Sequence, residues 1–263
     1  MNNFSYFVIL FGSVILLFHN GCGSDSHQGV NPDVIMVTDK GDVGLILYQE
    51  TPQHRENFLK LVRENYFDSL LFHRVIANFM IQSGDPRTRN AQTMKDSTLG
   101  DDPGYTLPAE IVETFVHTSG KLAAARYPDE QNPEWRSSGS QFYIVTGAPV
   151  TSSRLDSMEM QYNYVRKGRF FTEWQVEVGN GEFSGTFDEF LVSKNFQDFH
   201  YTPAHRRAYK ESGNGAPWLD FQYTIFGEVV SGMDVVKAIG RVETDPWPAK
   251  PVRILKMYVP DTP

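Results

Sequence analysis

A chain of 263 residues with 40% hydrophobic and 13% aromatic content carries enough apolar surface for one large domain, or one domain with an elaboration, and is not a composition for disorder. Its formal net charge of −8 lacks the basic footprint that attracts a phosphate backbone, so no nucleic-acid partner is expected.

The chain opens on an apolar run from Phe4 to Phe18, followed by His19-Asn20-Gly21-Cys22. That run is short of the roughly 20 residues a bilayer span needs, so residues 1–21 read as a removed export signal. Cys22 is the sole cysteine and has no internal disulfide partner. Directly after Gly21, it resembles the lipidated cysteine of a bacterial lipoprotein; the alternative is ordinary secretion with an unpaired thiol. A membrane anchor through a lipid on Cys22 is therefore expected in the cell envelope. Residues 22–31 would form a short polar tether, and residues 32–263 the folded domain.

From Val34 the pattern changes to short β-type runs. Val34 to Val37 and Val43 to Tyr48, around Asp39-Lys40-Gly41-Asp42, predict a hairpin. Thr51 as N-cap, Pro52 in the first turn and apolar Phe58, Leu61 and Val62 predict a helix through Asn65. Further strands are predicted at Leu71–Ile76, Phe79–Gln82, Lys121–Ala125, Gln141–Thr146, Tyr223–Val229 and Val252–Val259, with a second helix at Met233–Ile239. Many short strands and few helices argue for a closed antiparallel barrel or a sandwich, not a doubly wound sheet. Residues 148–216 break this rhythm. Helical stretches are predicted there at Arg154–Arg166, Phe187–Asn195 and Pro203–Ser212, with aromatic residues to anchor them, and the strand pattern resumes beyond. The segment reads as a folded, largely helical insertion.

The most informative stretch runs Phe72-His73-Arg74-Val75-Ile76-Ala77-Asn78-Phe79-Met80-Ile81-Gln82-Ser83-Gly84-Asp85. An arginine amid core-type strand residues is costly to bury unless its donors are met, which places Arg74 at a wet or functional cleft. With Gly139-Ser140-Gln141-Phe142-Tyr143-Ile144, the run Trp218 to Val229, and Leu122-Ala123-Ala124-Ala125-Arg126, the sequence resembles the cyclophilin family of peptidyl-prolyl isomerases from about Val34 to Val259, apart from the insertion. The resemblance implies a closed eight-stranded antiparallel β-barrel capped by two helices, acting on Pro-containing polypeptides without a cofactor or metal. Matched by position, Arg74 is the catalytic arginine and Gln82 the glutamine that orients it. Phe79, Met80, Tyr143 and Leu219 are the proline-pocket walls, and Ala125, Arg126, Gln141, Trp218 and Tyr223 its peptide-facing surroundings. Tyr143, Arg126 and Tyr223 stand where many members have Phe, Asn and His.

Some of these residues keep simpler readings open. Tyr223 would also suit packing under a loop, Trp218 sealing of the barrel beside the insertion, and Arg126 a solvated surface charge. A non-catalytic module that docks Pro-containing segments is the alternative function, although it would not require the Arg74–Gln82 pair. The seven histidines lack metal-ligand spacing, no Gly-x-Ser-x-Gly elbow is present, and the Gly179–Gly185 run has no P-loop lysine. Nothing in the pattern calls for a second subunit, and a monomer is expected.

Overall fold

A computed structural model describes residues 29–91, 104–242 and 250–261; the expected export signal, Cys22 and the tether as far as Gln28 lie outside them. In chain order the elements are β1 (Val34–Thr38), β2 (Gly41–Leu47), α1 (Pro52–Arg63), β3 (Arg74–Ile76), β4 (Met80–Ser83), β5 (Thr106–Leu107), β6 (Lys121–Ala124), β7 (Ser137–Ser138), β8 (Phe142–Val145) and β9 (Ala148–Pro149). Then come α2 (Ser152–Gly179), α3 (Phe187–Ser193), α4 (Pro203–Ser212), β10 (Asn214–Gly215), β11 (Ile225–Ser231), α5 (Met233–Ile239) and β12 (Ile254–Tyr258). The hairpin turn at Asp39-Lys40 closes on Gly41 at φ 127, a conformation that a side chain would strain.

Antiparallel pairings join eight strands in the order β12-β1-β2-β11-β6-β8-β4-β3. The fold is mainly β, but the expected closed barrel is not formed: the sheet is a strongly curled, open half-barrel with β3 and β12 as its edges. The predicted strand Leu71–Ile76 is cut to Arg74–Ile76, with Leu71 left in an isolated antiparallel bridge to Arg253, and side chains take Leu71's own backbone groups. Leu71 N–H donates to the Thr88 hydroxyl at 3.0 Å and Leu71 C=O accepts from Ser83 Oγ at 2.9 Å. Only an irregular seam then reaches across to the other edge, through Ser69 N–H to Ile254 C=O, Phe72 N–H to Val252 C=O and Ile254 N–H to Leu70 C=O. Pro251, just ahead of β12, has no amide with which to extend that seam.

The sheet has two buried faces in its central strands, which follows from the two-residue side-chain period. Leu122, Ala124, Phe142, Ile144 and Ile81 enter one core with Phe58, Leu61 and Val62 of α1 and Val236 and Ile239 of α5. Their neighbours Ala123, Tyr143, Val145 and Met80 point the other way, into a second cluster with Leu219 and Ile225. The two expected capping helices thus serve the inner core, and the outer face is left for a site.

Thr51 stands at the N-cap position of α1 but makes no cap bond to the helix. The Glu110 carboxylate, distant in sequence, accepts from the amides of Gln53 at 3.1 Å and His54 at 3.0 Å. A full charge at the positive end of a helix satisfies these orphan donors better than a hydroxyl does.

Residues 148–216 leave the sheet through β9 and return through β10, which pair with each other as Ala148↔Gly215 and Pro149↔Asn214. At Gly147 a Cβ would collide with the Gly215 backbone, so this crossing requires glycine. The segment is largely helical, with α4 as predicted. Helix α2 runs well past the predicted Arg166, because Phe171 and Trp174 pack on Phe187 at ring separations of 5.2 and 5.8 Å and Phe170 on Phe196 at 5.2 Å.

Candidate functional site

Strand register assembles the outer-face site. Arg74 pairs with Gln82, Gln82 with Tyr143, and Tyr143 with Ala123, so one row crosses four strands with its side chains on the same face. The next row is Ile76, Met80 and Val145. The β3–β4 turn holds Asn78 at φ 57 and projects Phe79 beside this row; Phe79 C=O accepts from the amides of Thr146 and Gly147, each at 3.0 Å. Leu219 comes from the short helical turn Pro217–Leu219 on the far side of the segment formed by α2 to α4.

These residues enclose a small cleft of about 100 Å³ lined by Arg74, Phe79, Met80, Gln82, Ala125, Arg126, Tyr143, Leu219 and Tyr223. Met80, Tyr143 and Leu219 are buried, while Arg74 is exposed. Arg74 NH1 donates to Gln82 Oε1 at 3.3 Å, and Gln82 Nε2 donates to Gln141 Oε1 at 3.0 Å. Because a guanidinium only donates, this relay fixes the Gln82 amide with its oxygen toward Arg74. Gln141 therefore supports Gln82 and is not a wall of the cleft. Trp218 is likewise outside the cleft wall: it is 37% exposed and lies against Phe79 with ring centroids 5.3 Å apart.

Arg126 is not the solvated charge that its sequence position also allowed. Its side chain is 3% exposed. Nε donates to Gln222 C=O at 2.9 Å and NH1 reaches Asp129 at 2.8 Å. The guanidinium lies over Tyr223, 4.6 Å from the ring centroid, and over Trp135 at 5.4 Å, a cation–π sandwich that braces the Tyr223 wall.

Behind the cleft lies a polar network that the sequence reading did not single out. Asp220 accepts from the His117 amide at 2.7 Å, His117 Nδ1 at 2.9 Å, and the hydroxyls of Tyr201 and Tyr209 at 2.9 and 2.7 Å. With Nδ1 donating to the carboxylate, His117 Nε2 is left to accept from the Tyr143 hydroxyl at 3.0 Å. Burial pushes the hydroxyls of Tyr143, Tyr201 and Tyr209 well above the ordinary phenol value, so all three remain donors. The hydroxyl that Tyr143 adds to a pocket wall thus turns away from the cleft and ties the wall, through His117 and Asp220, to α4 and the chain preceding it. The sequence signal for it is the apolar neighbour Val116, beside which a buried histidine needs polar partners; the scattered spacing of the histidines does not reveal those partners.

His73, adjacent to Arg74, faces the interior and is 4% exposed. Burial lowers its pKa from 6.5 to about 4. The folded value lies below the unfolded one, so the unfolded chain takes up the proton first. This contribution to stability is complete above pH 6.5 and is lost as pH falls toward 4. The loss should reach about 3 kcal/mol at pH 4. Urea unfolding at pH 7 and pH 4 should show a smaller drop in His73→Gln than in wild type; equal drops would refute the assignment.

Sequence and fold comparisons identify the family. The sequence matches the family cyclophilin type peptidyl-prolyl cis-trans isomerase/CLD over residues 34–173 and 195–259. It is 28% identical to a peptidyl-prolyl cis-trans isomerase of Arabidopsis thaliana, over 90% of this chain but 26% of that one. Identity is also 28% to a provisionally named peptidyl-prolyl cis-trans isomerase of Staphylococcus saprophyticus, over 81% of this chain and 83% of the other. The chain thus spans about a quarter of the plant relative and most of the staphylococcal one. Its fold is similar to that of a cyclophilin-type isomerase of Cryptosporidium parvum, with a TM-score of 0.54 and 18% identity, covering 88% of this chain and 98% of that one. That protein's structure has also been determined in the presence of the dipeptide Ala-Pro. With the family match running through β3, β4, β6, β8 and β11, which carry or flank the cleft, the chain belongs to the cyclophilin-type peptidyl-prolyl cis-trans isomerases.

Proposed function

We propose that the protein isomerises X-Pro bonds of exported polypeptides at the Arg74 cleft, from a lipid anchor on Cys22. The observation that carries the reading is the cross-strand row Arg74–Gln82–Tyr143 beside an apolar floor of Met80 and Leu219. Amide resonance sets a rotational barrier of about 18–20 kcal/mol, and unaided X-Pro isomerisation takes tens to hundreds of seconds. Rotation out of plane localises a lone pair on the proline nitrogen. The Arg74 guanidinium, held by Gln82, meets that lone pair with a donor that has less to bind in the planar ground state. The proline ring sits against Met80, Leu219, Tyr143 and Phe79 while the preceding carbonyl turns. One charged hydrogen bond supplies roughly 1.5–3 kcal/mol, so orientation in a dry pocket must supply the rest.

A protease-coupled assay with a Pro-containing tetrapeptide tests the chemistry. Acceleration by the chain from Gly29 onward is expected; binding of the peptide without acceleration would leave a docking module instead. The anchor is tested separately. In a bacterium fed labelled fatty acid, wild type should incorporate label and partition with membranes, and Cys22→Ser should do neither. Lipoprotein acylation supplies more than the two signals needed for stable anchoring. Equal labelling of both forms, or of neither, removes the lipid from the proposal. Residues 148–216 would act as an insertion that selects which polypeptides are bound, since both of its ends meet at the site.

A further inference from the structure

A second cavity, of about 210 Å³, opens between α2 and the turn Pro217–Gln222. Its lining includes the rings of Trp135, Tyr162, Phe199, Tyr201, Trp218 and Phe221. Resting on the isomerase reading of the neighbouring cleft, we infer that this cavity is a subsite for an aromatic side chain carried by the same polypeptide whose proline occupies that cleft.

Continuity supports the occupant. Trp218 lines the cavity and packs on Phe79, a wall of the proline cleft, with centroids 5.3 Å apart. Gln222 also lines the cavity; its carbonyl is held by Arg126, which lines the cleft. Two packed side chains, Trp218 and Phe79, therefore separate the two spaces. An extended chain advances about 3.3 Å per residue, so a side chain roughly two to four residues from the proline spans that distance.

Size and lining select the chemistry. A dry apolar cavity of about 150 Å³ holds a benzene ring, and this cavity exceeds that size. Aromatic walls offer a further ring the offset and edge-to-face contacts that an aliphatic side chain does not make. The wall is also held in place: Phe221 adopts φ 63, costly for a bulky residue and sustained only when its surroundings determine it. Its ring is fixed there between Phe199 at 5.0 Å and His205 at 5.6 Å. Asp220, between Leu219 and Phe221, anchors the same turn to Tyr201 and Tyr209.

The test uses proline peptides of ten residues, with Phe, Leu or Ala placed in turn at each position two to four residues on either side of the proline. Affinities are measured by calorimetry, alongside turnover of the tetrapeptide. At one or two positions Phe is expected to bind about ten-fold or more tighter than Ala, and tighter than Leu. Val165 lines the cavity and is 50% exposed, so Val165→Trp should fill the space without unfolding the chain; Gln161→Trp provides a second filling variant. Either should abolish the preference for Phe and leave tetrapeptide turnover unchanged. Equal affinity for Phe, Leu and Ala at every position overturns the inference, as does a preference that survives both filling variants. Loss of tetrapeptide turnover in wild type with the Phe preference intact would instead refute the isomerase reading and retain the subsite.

Discussion

Arg74→Ala is expected to lower isomerisation of a Pro-containing tetrapeptide by about 10- to 150-fold, the equivalent of one charged hydrogen bond of roughly 1.5–3 kcal/mol. The substituted side chain is exposed and bonds only to Gln82 among the described residues, so unfolding free energy should change by no more than about 0.5 kcal/mol. Residual acceleration should remain, because Met80, Leu219 and Tyr143 still orient the proline ring. The loss should fall on kcat more than on KM, since the guanidinium meets a lone pair that exists only in the twisted state. Arg74→Lys keeps the charge but not the planar fork that Gln82 positions, and should recover little. An unchanged kcat in a folded Arg74→Ala protein would remove arginine from the mechanism and leave the cleft a docking site.

Asp220→Ala is expected to have the largest effect on stability, on the order of 3–5 kcal/mol. Its carboxylate, in a residue 3% exposed, accepts from the His117 amide and ring and from two tyrosine hydroxyls. Removal strands these donors in a site too enclosed for full hydration, and an unsatisfied buried group costs about 1–3 kcal/mol. Against a total stability typically of about 5–15 kcal/mol, such a loss is large enough to show in the urea midpoint. Tyr143→Phe deletes only the outermost bond and should cost about 1 kcal/mol. A midpoint for Asp220→Ala as close to wild type as that of Tyr143→Phe would mean that the network does not hold the segment to the sheet. Because Leu219 is the preceding residue, tetrapeptide turnover should fall with stability in Asp220→Ala and recover if ligand or osmolyte restores the fold.

How much of the site was legible from sequence depends on where each residue's partners lie. Arg74, Phe79, Met80 and Gln82 share one hairpin, and two-residue alternation places Arg74, Met80 and Gln82 on one face whatever the rest of the fold does. Their grouping was therefore readable from local pattern. The resemblance places Gln141 among the peptide-facing surroundings, and only the folded chain shows that it also accepts from Gln82 Nε2. Arg126 was ambiguous for the same reason: a charged residue after a strand is ordinarily solvated, and the rings of Trp135 and Tyr223 that enclose it are brought from other loops.

The hairpin, the strand runs, helices α4 and α5, and the family resemblance are readable locally, because they depend on periodicity, turn chemistry and contiguous motifs within a few residues of one another. Long-range packing sets the open sheet, the capping of α1 by Glu110, and the link from Tyr143 through His117 and Asp220 to α4. Those outcomes rest on which distant group satisfies a buried donor or acceptor in the folded chain. Leu71 shows the rule in its smallest form. Its residue type favours continuing a strand, yet it pairs only as an isolated antiparallel bridge with Arg253, while Thr88 and Ser83 take its own amide and carbonyl and no regular ladder extends from it.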